Sequence, residues 1–238
     1  MLKKIVTVVG SRQINGRPMK IAQDLKESSE TLNNLEINNQ IITPLEYNIL
    51  PSTGCKNCFK NNFCPTENNI SDKAKFVKEQ ILKSDLLIII SPVYSHNVSG
   101  DIKNLIDRIS YWSHLFRLAG KPIILIASAE SNGTNFVLDY LNKVFTAMGG
   151  VVIKQSSFLT IDHANFQSNI KNITETVMTT FSKNFLFTPN EYQERLFQNL
   201  KENIKKYPPH NSERQYWEKE KLLYFPNLKN YFKSFQEI

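Results

Sequence analysis

Residues 86–108 read Leu-Leu-Ile-Ile-Ile-Ser-Pro-Val-Tyr-Ser-His-Asn-Val-Ser-Gly-Asp-Ile-Lys-Asn-Leu-Ile-Asp-Arg. The unbroken apolar run from Leu86 to Ile90 suits a strand covered on both faces, as in a parallel sheet flanked by helices. Pro92 lacks a backbone donor and is expected to end the ladder. From Val98 the pattern changes, and Val98, Ile102, Leu105, Ile106 and Ile109 share one helical face. In an open α/β sheet, ligands bind outside the carboxyl ends of the strands. Tyr94, His96, Asn97 and Ser99 fall in that crevice.

Working outward, Lys3 to Val9 reads as a first strand, followed by a polar loop from Gly10 to Gly16. A helix is expected from Arg17-Pro18, since proline suits the first turn. Met19, Ala22 and Leu25 form its inner face, and it frays over Glu27 to Asn34. A second strand, Leu35 to Ile42, should stop before Pro44. Thr53 to Asn69 reads as a long polar loop. The next helix is marked by Ile70, Ala74, Val77 and Ile81. After the central strand and its helix, a turn at Gly120-Lys121-Pro122 precedes a strand from Ile123 to Ala127. A polar loop follows from Ser128 to Asn135. Phe136, Val137, Tyr140, Leu141, Val144 and Met148 mark a helix that Gly149-Gly150 stops. Val151 to Phe158 is the last strand. Strands alternating with helices imply an α/β fold with a parallel sheet and right-handed crossovers.

Beyond residue 163 the strand pattern ends. Ile170, Ile173, Val177 and Phe181 suggest one helix, and Leu196, Leu200 and Ile204 another. An aromatic cluster follows around Tyr216, Trp217 and Leu222 to Phe225, then Leu228, Tyr231, Phe232 and Phe235. The expected division is a domain over 1–163 and a helical, aromatic-rich C-terminal extension over 164–238. The extension is too apolar for disorder. It should pack on the body, cover the crevice or form a subunit contact.

The chain has 238 residues and a formal net charge of +7. That charge favours anionic ligands, but no basic block resembles a nucleic-acid arm. No apolar run approaches the ~20 residues that span a bilayer. The apolar start ends at Val9 without a cleavage pattern, so a cytoplasmic protein is expected. The three cysteines all lie between Cys55 and Cys64, too few and too local for a disulfide scaffold. The histidines are scattered, and no metal site, serine elbow or paired-carboxylate pattern is evident.

The first loop has the chemistry of an anion site. Backbone donors at a helix start bind phosphate, and the helix field favours negative charge. Ser11 and Asn15 carry side-chain donors, and Arg12 and Arg17 carry positive charge. Neither a Walker loop nor a dinucleotide fingerprint is present. A solvated turn with two solubilising arginines is the bland reading of the same residues.

Gly10 to Gly16 and Ser91 to Arg108 together resemble the flavodoxin-like NAD(P)H-dependent FMN reductase family, near its iron-sulfur flavoprotein branch. The likeness covers about residues 3 to 158. It implies a flavodoxin-like sheet of order 2-1-3-4-5, FMN as cofactor, and a homodimer or homotetramer. It further implies NADPH or NADH as co-substrate and a small-molecule electron acceptor. By that likeness Ser11, Arg12, Asn15, Gly16, Arg17, Pro18 and Met19 surround the phosphate. Pro92, Val93, Tyr94 and Asn97 line the flavin ring, Ser99 opens the next helix, and Ser128, Ala129 and Glu130 flank the ring. Tyr94 and His96 are the candidate proton donors, although His96 also reads as an ordinary exposed residue. The function implied is an FMN-dependent oxidoreductase. A flavodoxin-like electron carrier and a dedicated biosynthetic redox enzyme are the alternatives.

Two features depart from the family pattern. Arg17-Pro18 stands where Ser or Asn and then Thr usually close the phosphate loop. Ser52 stands where cluster-binding members carry the first of four cysteines, leaving Cys55, Cys58 and Cys64. A [4Fe–4S] cluster normally takes four thiolates. Zinc, a Cys55–Cys58 redox pair, and free thiols shaping the rim or an interface are the other options, and the last is the expectation.

Overall fold

The computed structural model describes residues 2–32, 35–181 and 187–236. Met1 and the end of the expected fray, Asn33 and Asn34, lie outside them. The chain runs β1 (Lys3–Val9), α1 (Arg17–Glu30), β2 (Ile37–Ile42), α2 (Asn57–Asn61), α3 (Ala74–Lys83), β3 (Leu86–Pro92), α4 (Gly100–Ile109) and α5 (Trp112–Leu115). It continues through β4 (Pro122–Ala129), α6 (Thr134–Ala147), β5 (Val151–Leu159), α7 (Phe166–Thr180), α8 (Glu191–Lys205), α9 (Ser212–Lys219) and α10 (Leu228–Gln236). Single 3-10 turns occupy Pro65–Asn68, His163–Asn165 and Leu222–Tyr224. The strands form one parallel sheet of order β2-β1-β3-β4-β5. Strand order reverses between β1 and β3, and a crevice opens at such a switch point.

Side chains two apart share a sheet face. Val6, Val8, Leu87 and Ile89 therefore pack with α3, α4 and α6 through Val77, Ile81, Ile102, Leu105, Leu141 and Phe145. Ile5, Val9, Leu86, Ile88 and Ile90 meet α1 and α7 through Ile21, Leu25, Ile173 and Val177. Burial on both faces explains the unbroken apolar run of β3, each such side chain stabilising by about 1.5–3 kcal/mol. Helix α7, which begins just past residue 163, thus completes the second face of the sheet.

Several boundaries differ from those read in the sequence. Strand β3 runs through Pro92, which pairs with Ser128 of β4. Ile90 accepts from Gly10 on the β1 side, so Pro92, two residues on, turns its missing donor to the side where β1 has ended. Helix α1 continues to Glu30 because Ser28, Ser29 and Thr31 hydroxyls bond helix carbonyls instead of breaking the turn. Strand β2 starts at Ile37 rather than Leu35. Ile70 is exposed and precedes α3, whose inner face starts at Ala74. Ser128 and Ala129 end β4 rather than begin a loop. The cysteine stretch, expected as loop, contains α2 and a 3-10 turn.

The extension packs on the body. Phe197, Ile204, Trp217, Leu222, Leu228 and Phe232 form a third core with Phe116. Buried Gln193 of α8 donates to Thr146 O (3.1 Å) and Gly150 O (2.9 Å), by the amino end of β5. Glu194 accepts from the Leu228 and Lys229 amides, fixing the start of α10. Among the described residues no helix is long and apolar enough to cross a membrane.

Candidate active site

Three loops meet where β1, β3 and β4 end. Gly10 follows β1, and its N–H donates to Ile90 O (2.8 Å). A Cβ on Gly10 would stand 2.3 Å from Ile102 Cγ1 and 2.6 Å from Ser99 Oγ. Only glycine lets the first loop lie against the start of α4. Ser11 is buried, and its hydroxyl accepts from Gln13 N–H (3.2 Å). Gly16 N–H donates to Gln13 O (3.2 Å), closing the turn. Helix α1 then starts without a side-chain cap and without an acidic residue in its first turn. Its positive end therefore faces the loop, which suits a phosphate. Asn15 is exposed, Pro18 is buried in the first turn, and Met19 is half-buried.

The two arginines are engaged with protein groups. Arg12 donates to both Asp101 oxygens (2.8 and 3.1 Å) and to Asn48 Oδ1 (3.1 Å). The hydrogen bond and charge of Asp101 shift the Arg12 pKa upward. Arg17 Nη1 donates to Leu159 O (2.9 Å) at the end of β5. One arginine straps the loop to α4 and the other to the far side of the sheet. Asp101 and Asn48 were not singled out by sequence; the acidic first turn of α4 was the available signal.

The loop after β3 is a two-residue hairpin. Tyr94 and Asn97 exchange backbone hydrogen bonds (2.9 and 3.0 Å), and Ser95 and His96 both take left-handed φ values of 49° and 59°. That is the pattern of a type I′ turn, unusual here because neither residue is glycine. Asn97 Oδ1 accepts from Val98 N–H (2.8 Å). Ser99 caps α4, its hydroxyl accepting from Ile102 N–H (3.3 Å), while its own N–H donates to Ser91 Oγ (3.1 Å). Pro92 is buried and Val93 half-buried, whereas Tyr94 is 56% exposed.

The loop after β4 forms the opposite wall. Ser128 O accepts from Val93 N–H (2.8 Å), and Ala129 O and Glu130 O accept from the Thr160 and Ile161 amides. Gly133, at φ 86°, is crowded by Val93 and by the His96 ring. His96 meets Phe136 edge-on at 5.2 Å between centroids. Gly133, in the expected Ser128–Asn135 loop, and Phe136, at the start of α6, thus border the mouth although neither was named as a site residue from sequence. Ile14, Tyr94 and Ile161, from three different loops, and Phe136, in the first turn of α6, are all exposed apolar side chains at this end of the sheet.

The cysteines lie apart from this mouth in chemistry. Cys55 is exposed, Cys58 half-buried against the first core, and Cys64 buried. Backbone donation from Asn57 and the Thr53 hydroxyl pull the Cys55 pKa down, while burial and then Cys64 push Cys58 up. Among the described residues no three His, Cys, Asp or Glu side chains are grouped to hold a metal ion. With serine at position 52 and thiols facing both solvent and core, the segment does not fit a four-thiolate cluster.

Residues 3–165 match the NADPH-dependent FMN reductase family. An iron-sulfur flavoprotein of Clostridioides difficile is 28% identical over 190 residues, covering 79% of this chain and 80% of that protein. An NADH:FMN oxidoreductase structure superposes with a TM-score of 0.57 at 20% identity, over 76% of this chain and 90% of the other. RosB superposes at 0.58 and 13% identity over 88% and 89%, a likeness of fold that takes in more of the chain. The chain belongs to the NADPH-dependent FMN reductase family and is an oxidoreductase with FMN as cofactor and NAD(P)H as co-substrate.

Proposed function

We propose that the FMN phosphate is held by residues 10–17, through loop amides, the open end of α1, Ser11 and Asn15. Arg12 and Arg17 keep that loop in shape, with Gly16, Pro18 and Met19 setting its exit. In the same reading Pro92, Val93, Tyr94 and Asn97 support the ring, and Ser128, Ala129 and Glu130 border it. The observation that carries this is the contact at Gly10, which brings the anion loop against the start of α4 at Ser99, just past the hairpin. Held by these residues, FMN would supply hydride chemistry at N5 with NAD(P)H and electron delivery to a small organic acceptor such as a quinone, flavin, nitro or azo compound. The exposed apolar rim of Ile14, Tyr94, Phe136 and Ile161 favours a flat apolar acceptor over a small polar one. Tyr94 and His96, both open to solvent, are the proposed proton donors to a reduced product.

The purified protein should show flavin absorbance and release FMN on denaturation. Anaerobic NADPH or NADH should bleach it, and the acceptors are then ranked by turnover. A colourless protein that fails to take up added FMN would overturn the reading. A dedicated biosynthetic redox enzyme is the second reading. It is favoured by the fold likeness to RosB, whose structure holds 8-demethyl-8-formylriboflavin-5'-phosphate as a bound intermediate. Turnover of modified flavins but not of quinones would select it. A homodimer or homotetramer is the proposed assembly, which light scattering measures.

A further inference from the structure

We propose that the cysteine segment, residues 52–69, keeps its shape through protein contacts alone, and that α9 performs the mounting that a cluster tying four thiolates together would otherwise provide. With no cluster in the segment, reducing equivalents from a flavin held in the mouth would pass directly to a diffusible acceptor, a consequence that rests on the FMN reading above.

The segment is fixed at three places. Before it, Leu50 O accepts from Arg108 Nη1 (2.9 Å). At its end, Glu67 pairs with Lys78 of α3, and just after it Asp72 accepts from Arg108 Nη2 (2.6 Å). Arg108 and Asp72 side chains are 1% and 0% exposed, so this anchor is out of water. In the middle, the Ser212 hydroxyl at the start of α9 donates to Lys60 O (2.6 Å), and Asn62 Nδ2 donates to Ser212 O (2.8 Å). Phe59 then stacks edge-on against His114 (5.1 Å), whose Nδ1 meets Glu213 of α9 at 2.9 Å and whose carbonyl accepts from Trp217 Nε1 (2.8 Å).

The donor set points the same way. Helix α2 is bounded by two left-handed residues, Lys56 and Asn62. The first of them separates Cys55, in solvent, from Cys58, which packs against the sheet's core. Ser52 turns its hydroxyl to its own loop, accepting from Gly54 N–H (3.4 Å). Each end and the middle of the segment already has a partner of its own.

Full-length protein is purified anaerobically, incubated with ferrous iron and sulfide, desalted, and assayed for iron, sulfide and absorbance. The expected result is iron and sulfide at background, before and after incubation. About four irons per chain, lost in Cys64→Ala, would overturn the proposal. In a second experiment, maleimide labelling of Cys58 and Cys64 is timed in Asn62→Ala/Ser212→Ala. Removing two hydrogen bonds should speed labelling about tenfold, and an unchanged rate would overturn the role of α9. FMN content on the same samples tests the flavin reading separately: its absence removes the electron route and leaves the mounting standing.

Discussion

The hairpin after β3 and the cysteine segment after β2 are both irregular connections from a strand to a helix, and they are held in opposite ways. The hairpin is fixed by its backbone, through the Tyr94–Asn97 pair and two left-handed residues. Its side chains from Tyr94 to Asn97 stay exposed. The segment is fixed by side chains, with Arg108, Asp72, Lys78 and Glu67 withdrawn from water. A loop that uses backbone geometry to hold itself leaves its side chains available for a ligand. A loop that uses its side chains to hold itself becomes scaffold.

The comparison breaks most severely at Arg108. Arg108→Ala leaves the buried Asp72 carboxylate unpaired and should cost about 3–5 kcal/mol in urea denaturation. The folded fraction should retain FMN, because the anchor lies under the segment rather than the mouth. A loss below about 1 kcal/mol, the level of an exposed pair, would show that the segment is held some other way. Gly10→Ala tests the mouth instead. Its Cβ would overlap Ile102 and Ser99, costing about 1–3 kcal/mol of stability. The main effect expected is on FMN, with Kd from fluorescence titration weakened about tenfold or more. If affinity held while stability fell, the loop and the hairpin would not share one ligand.

Much of this was legible in the sequence, and unevenly so. The apolar run from Leu86 and the helical spacing from Val98 located the central strand, its helix and the mouth, because burial leaves a periodic trace. The two motifs pointed to strand order and cofactor. What sequence could not show is where long polar side chains go. Arg12 and Arg17 read as phosphate cations, yet one reaches Asp101 and the other Leu159 O, 142 residues away. Local charge pattern carries no information about such distant partners. Ile70 fitted the helical spacing of α3 by coincidence and is exposed. The aromatic extension announced that it packs, and nothing in its spacing named Gly150 or Lys60 as the places where it does.

Smaller changes sharpen the contrast. An L-residue in the left-handed region costs about 1–2 kcal/mol, and glycine's extra unfolded-state freedom costs about 0.5–1 kcal/mol. Ser95→Gly should therefore raise stability by roughly 0.5 kcal/mol, read as a small rise in Tm, while Ser95→Val should lower it. A drop in Tm for Ser95→Gly would mean that the hairpin is held by its side chains after all.

The gentlest probe needs no mutation. Only the thiolate is alkylated, so a lowered pKa moves a cysteine's reaction profile to lower pH and a raised pKa moves it higher. Donation from Asn57 and Thr53 favours the Cys55 thiolate, whereas burial and the nearby Cys64 disfavour that of Cys58. Iodoacetamide profiles against pH, resolved by mass spectrometry, should place Cys55 below free cysteine and Cys58 above it. Thiols gathered around a common metal would be protected together. If the three profiles rise as one, or if Cys58 reacts before Cys55 at neutral pH, then α2 does not separate its thiols, and the segment belongs with the mouth as a reactive surface.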